Sequence, residues 1–432
     1  MAATGIEATS IGALIGTRIT TVEAAELTSD SAITLTTLIA GSAALTSGGA
    51  MALMDGTVTE ALTATSGAGL SFEDVAAGSL AATVSAGDAS LMRLTVGDGL
   101  SVDVATGALT ANTVTVGADT TVSTGSDLGL EQASVVGGLT AAAGGAIALT
   151  DVDAGALTAT ATGDLTGARV AVTDAAGLTS GGALALTTFS ARAATLTSAG
   201  ALALSNGTVL EALQTPSGDG LSLADVAAGS LSSTVTEGDA TLVRVSVDDD
   251  LDVDVAAGEL TAVDVTVGAD GSVAAAADLV LTQVSVVGAL TETTGGDATL
   301  TDVDADALTV TAAGALTGTR VAVAGSVQLS SGADMSLAQL TAMSAVLTSG
   351  GGLTLTDGTV TNALTTVSGG GSSLTDVAAG SLSATVATGD ASLVRVSVDD
   401  GLGIDVLAGG LTAEDATVGG DASATAAEAM DL

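Results

Sequence analysis

The chain has 432 residues, with 49 Asp or Glu against 7 Lys or Arg, a formal net charge of −42, and no His, Cys, Trp or Tyr. The missing His and Cys exclude an imidazole base, a thiolate nucleophile and a zinc site of the usual kind. Such a negative charge, with almost no aromatic rings, excludes nucleic acid as a partner.

Hydrophobic residues make up 47% and charged residues 13% of the chain, which favours an ordered molecule over a disordered one. Residues 1–30 lack a basic stretch followed by an apolar core, so no Sec-type signal peptide is expected. Thr, Ser, Gly or Asp interrupts every apolar run, which excludes a helical membrane span. A membrane barrel would need aromatic girdles that this composition does not supply.

An internal repeat dominates the chain. Asp74-Val-Ala-Ala-Gly-Ser-Leu80 recurs at Asp225–Leu231 and Asp376–Leu382, and both steps are 151 residues (225−74 and 376−225). Gly56-Thr57-Val58, Gly207-Thr208-Val209 and Gly358-Thr359-Val360 keep the same spacing. So do Arg18, Arg169 and Arg320, and likewise Arg93, Arg244 and Arg395. The chain is expected to be one continuous body, 1–432, with copies at about 1–55, 56–206, 207–357 and 358–432, the first and last partial.

A finer period lies inside the long one. A Val-like position falls at Val226, Val245, Val265, Val284, Val303, Val321, Leu340, Val360 and Val377, in steps of 19, 20, 19, 19, 18, 19, 20 and 17. Around it apolar residues alternate with period two, as in Val243-Arg-Val-Ser-Val247 and Leu251-Asp-Val-Asp-Val255. Short strands punctuated by Gly, Asp, Ser and Thr cannot bury a face alone, whereas stacked coils can.

The expected fold is therefore all-β: a parallel β-solenoid of about 23 coils of ~19 residues. Leu, Val, Ile and Ala should fill a narrow bore without aromatic filler, and the near-absence of Pro suits strands that are almost all central. At ~4.8 Å per coil the expected rod is about 110 Å long. It would carry roughly one net charge per 2.6 Å, against ~1.7 Å in duplex DNA, and should gather cations diffusely.

The residue before each Val-like position forms an outward column. It runs Asp74, Arg93, Thr113, Gln132, Asp151, Arg169, Thr188 and Thr208, with Arg18 at the equivalent place upstream. It continues Asp225, Arg244, Asp264, Gln283, Asp302, Arg320, Gln339, Thr359, Asp376, Arg395 and Asp415. The charged members are read as a structural ladder in which Arg244 sits between Asp225 and Asp264, and Arg395 between Asp376 and Asp415. This reading is preferred to a ligand stripe.

Asp248, Asp249, Asp250, Asp252 and Asp254 form the densest acidic run and are the weak candidates for Ca²⁺ or another cation. No other cofactor is expected. Neither the calcium-binding nonapeptide nor an EF-hand loop is present. Paired carboxylates alone do not make a glycosidase without basic or aromatic neighbours and irregular loops. Thr-x-Thr pairs such as Thr354-Leu-Thr356 do not recur at one coil position, as an ice-binding face would require. Asn206-Gly-Thr208 is a lone glycosylation sequon whose repeat equivalents are Asp55 and Asp357.

Gly351-Gly-Leu-Thr-Leu-Thr-Asp357 and Gly181-Gly-Ala-Leu-Ala-Leu-Thr187 resemble the coils of filamentous-haemagglutinin-type adhesins. The resemblance covers most of the chain and implies a β-helical rod located outside the cell or at its surface. The expected role is structural, not enzymatic: a subunit of a filament or surface fibre that stacks on itself head to tail or laterally. The alternatives are a stalk segment of a larger adhesin and a carbohydrate-acting β-helix enzyme.

Overall fold

The computed structural model describes residues 4–432, and the chain divides into two units, Met1–Pro216 and Ser217–Leu432. Among the described residues regular structure in both is entirely β, and no helix is long and apolar enough to cross a membrane. Each unit is a β-solenoid: every strand pairs in parallel with its counterpart one coil away, as Leu221–Ala228 does with Ala240–Val247 and that strand with Leu260–Val267. About 22 coils of ~19 residues are wound in all.

A coil has three straight segments, clearest where the strands separate: Leu316–Gly318, Val321–Val323 and Ser326–Ser331. In most coils the first two run together as one bent strand, such as Ala240–Val247. Alternation decides which side chains enter the bore. Along Leu251–Val255 the apolar residues are buried while Asp252 and Asp254 face out. Two-residue periodicity in the sequence thus becomes a one-sided sheet wrapped around its own core.

The core is mainly Leu, Val and Ala, and it does contain aromatic filler, contrary to expectation. Phe72 and Phe189 are each only 1% exposed and are the largest buried side chains. Phe189 occupies the inward position that Leu38 and Leu340 hold in other copies, beside Gly207 on the next coil. The ring is as fully enclosed there as the leucines are.

That glycine also corrects the coil count along the chain. The ladder aligns Leu340 with Gly358 and Gly358 with Val377, so Gly358, not Val360, holds the inward position. From Val226 to Val377 the coils are then 19, 20, 19, 19, 18, 19, 18 and 19 residues, eight coils closing on 151 (377−226). A Cβ on Gly358 would stand 2.9 Å from Leu355 Cδ2, because that leucine fills the space itself. A search for β-branched residues passes over such a position.

Candidate functional site: the corner columns

In most coils the bend between the first two segments is a single residue that drops out of the ladder, whereas Arg169 and Thr188 stay paired with each other. Ala224 pairs with Val243 and Val226 with Val245, leaving Asp225 and Arg244 at the corner. Every non-glycine residue with a left-handed φ among the described residues lies in this column, from Asp74 (φ 52°) to Asp415 (φ 55°). Asp and Asn tolerate that region best, which explains their frequency here. The corner at the two glycine positions is Asn206 and Asp357, each before the inward glycine, so Thr208 and Thr359 stand two residues past it. Thr37 and Asp55 extend the column towards Arg18.

The corner arginines reach in one direction. Arg93, Arg169, Arg244, Arg320 and Arg395 each bind the Asp one coil earlier: Asp74, Asp151, Asp225, Asp302 and Asp376. Arg395 grips both oxygens, Nε to Oδ1 at 2.5 Å and Nη2 to Oδ2 at 2.6 Å. Arg93 adds Glu73 at 2.5 Å, while Arg169 and Arg320 add Asp153 and Asp304. Asp264 and Asp415, on the following coils, act on Arg244 and Arg395 only through their charge. Arg244 and Arg395 thus sit between two Asp of the column, as their spacing places them, and hydrogen-bond the earlier one.

Hydrogen bonding from Arg93, Arg244 and Arg395, ahead of charge attraction, holds Asp74, Asp225 and Asp376 below the ordinary carboxylate range. The same bonds raise the arginines further above neutrality. Some stretches of the column are uncharged, as where the Thr113 hydroxyl donates to Gln132 Oε1 at 3.0 Å. The seventh arginine, Arg192, lies outside the column and binds Glu211 one coil later at 2.8 Å.

Two further columns escaped sequence reasoning. In the turn that opens several of the coils, an Asp carboxylate accepts a backbone N–H from the next coil. Asp127 Oδ1 accepts from Ala146 N, Asp164 from Ala183 N and Asp278 from Asp297 N, all at 2.8 Å. Asp297 in turn accepts from Ala315 N at 2.7 Å, and Asp119 and Asp270 do the same before the third segment. The signal was an Asp directly before the first inward residue, as in Asp127-Leu128, Asp278-Leu279 and Asp334-Met335. Many of the acids that give the chain its charge thus serve as acceptors for turn amides.

The second column is buried. Where the third segment ends, a Ser or Thr hydroxyl donates to a turn carbonyl of the preceding coil: Ser66 to Gly49 at 2.9 Å, Ser180 to Gly163 at 2.8 Å, Ser349 to Ala333 at 2.7 Å. Thr124 and Thr294 donate in the same manner to Gly107 and Ala277. The turn phrase Thr-Ser-Gly carries Ser66, Ser180 and Ser349 in the sequence.

Asp248, Asp249 and Asp250 form an exposed turn, and Asp252 and Asp254 face outward from the adjoining strand. The structure does not draw them together. On neighbouring coils Asp252 is flanked by Ser232 and Ser272, and Asp254 by Thr234 and Ala274. Among the described residues no three acidic side chains are grouped so as to hold a metal ion. Surface grooves beside Val135–Val136 and Val286–Val287 are floored by Ala and Val, with one or two carboxylates at the edge.

No family model, curated protein or solved structure matches the chain.

Proposed function

We propose that the protein is a structural building block of an extracellular filament or surface fibre, assembled by stacking the solenoid coils of successive copies. One observation carries this reading. The coils are interchangeable: the clamp of Asp74 by Arg93 recurs as Asp225 with Arg244 and Asp376 with Arg395, and coil after coil pairs in parallel with another of the same outline.

Coils that stack on their own kind within a chain can stack on a coil of a second copy. A second copy offers the same three-segment outline, and a head-to-tail contact between unlike edges propagates without closing. The coil length and the Gly- and Thr-rich phrases support kinship with filamentous-haemagglutinin-type surface proteins. In this reading the molecule is a scaffold without a catalytic step, and its carboxylates hold cations diffusely.

Electron microscopy and sedimentation of the purified chain over rising concentration test the proposal. Fibres are expected with the native sequence and none with Ala424→Asp, which puts a charge on the inward face of Ala422–Ala426. A native chain that remains monomeric at millimolar concentration overturns the proposal, and so do fibres that persist in A424D.

A further inference from the structure

One ionisable side chain points into the bore. Glu292 lies in strand Leu279–Thr294, between Val273 and Val310 in the ladder, and is 0% exposed. Neither Oε1 nor Oε2 has a hydrogen-bond partner. The register position one long repeat earlier (292−151) is Ala141, buried between Val122 and Ala159. A glutamate has therefore replaced an alanine-sized residue in a close-packed apolar layer, without acquiring a partner.

No nearby group compensates. On the flanking strands the ionisable residues are Asp264, Asp302, Asp304 and Asp306, all at corners or outward positions, with Asp302 and Asp304 bound to Arg320. The strand Gly271–Ala275 carries none. The turn residues Asp270, Asp278 and Asp297 accept backbone N–H groups from the next coil. Of the inward residues on Glu292's own strand, Leu279, Leu281, Val284, Val286 and Leu290 are buried and apolar, and the hydroxyl of buried Thr294 is given to the Ala277 carbonyl.

We propose that this coil is a pH-responsive opening point of the second unit: the neutral Glu292 carboxyl is enclosed in the bore, and the ionised form is accommodated only when segment 288–296 leaves the ladder. An unpaired carboxylate cannot remain in an apolar layer. Burial raises the Glu292 carboxyl from an ordinary 4.5 to about 8. A folded value above the unfolded one means that the folded chain holds the extra proton. The contribution to stability is therefore greatest below 4.5, declines as pH rises, and is lost through about 8. Protonation closes the coil and mild alkali opens it.

Hydrogen exchange of the full chain between pH 6 and 9.5, corrected for the intrinsic rate, tests this. Protection of peptides covering 288–296 should fall by about tenfold or more above pH 8, while 137–145, which carries Ala141, changes far less. Glu292→Ala, which installs the residue found at the equivalent position, should abolish the fall. The proposal is overturned if 288–296 follows 137–145 across the range, or if the fall persists in E292A.

Discussion

Arg244 sets its Nε and Nη2 against the two carboxylate oxygens of Asp225, at 2.6 and 2.7 Å, one coil towards the N-terminus. The pair is exposed, with side chains 54% and 44% accessible, so solvent and salt weaken it. Self-repulsion among the excess carboxylates works on every coil. Added salt is therefore expected to stabilise the protein, raising the thermal midpoint by a few degrees between 10 mM and 0.5 M NaCl. A midpoint that falls with salt would show the clamps to outweigh the repulsion.

Acid should act on the clamps in a definite direction. Asp225 titrates below its ordinary 3.8 because Arg244 holds the ionised form. A depressed folded value gives stability that is present above 3.8 and is lost as pH falls through the lower folded value. Global protonation also relieves repulsion, so the readout is the stability of the native chain minus that of Asp225→Asn. This difference should be positive at pH 6 and shrink towards zero near pH 2. A difference independent of pH would remove the clamp's role.

Replacing Glu292 with methionine restores an apolar side chain of similar length in the bore. Unfolding at pH 7 should show Glu292→Met more stable than the native chain by about 2 kcal/mol, and by more at pH 9. Equal stability at both values would mean that the carboxyl is satisfied in solution.

Ser66 is fully buried, and its hydroxyl faces the carbonyls of Gly49, Ala68 and Gly69. Removing it leaves turn carbonyls under-satisfied at the end of the third segment. Ser66→Ala is expected to cost about 1–3 kcal/mol, whereas the exposed Ser71→Ala should stay within about 0.5 kcal/mol. Denaturant midpoints of the two variants compare them directly.

Glycines in the same solenoid should differ by position. At Gly358 a new side chain runs into Leu355, so Gly358→Val is expected to destabilise by about 1–3 kcal/mol. At Gly403 nothing lies within 4 Å of a new Cβ, and Gly403→Ala should be neutral or slightly stabilising. Similar losses at both sites would contradict the assignment of inward and outward faces.

Much of the fold was legible because the period of the sequence is the period of the coil. Alternation at Leu251-Asp-Val-Asp-Val255 fixed which residues enter the bore, and the 151-residue register fixed which coils are equivalent. What escaped reading depended on backbone geometry. Gly358 substitutes for Val only because Leu355 fills its space, and the corner Arg lies beside two Asp yet clamps one of them. The turn carboxylates were seen as surface charge, since a bond from Asp127 to Ala146 N joins residues 19 apart through an offset that only the stacked turns reveal. Glu292 was hidden for the opposite reason: Leu290-Thr-Glu-Thr-Thr294 keeps the period of the repeat, and the acid was not matched to an inward position.

The long repeat closes on eight whole coils, and this bears on how such a gene can change. Recombination between copies adds or removes 151 residues at a time and brings each corner, turn carboxylate and buried hydroxyl back opposite its own kind. Loss of a fragment that is not a whole number of coils would set corners against strands. Tandem duplication can therefore tune the reach of the molecule without inventing a new contact, while selection remains free to vary single positions, as it has at Ala141 and Glu292.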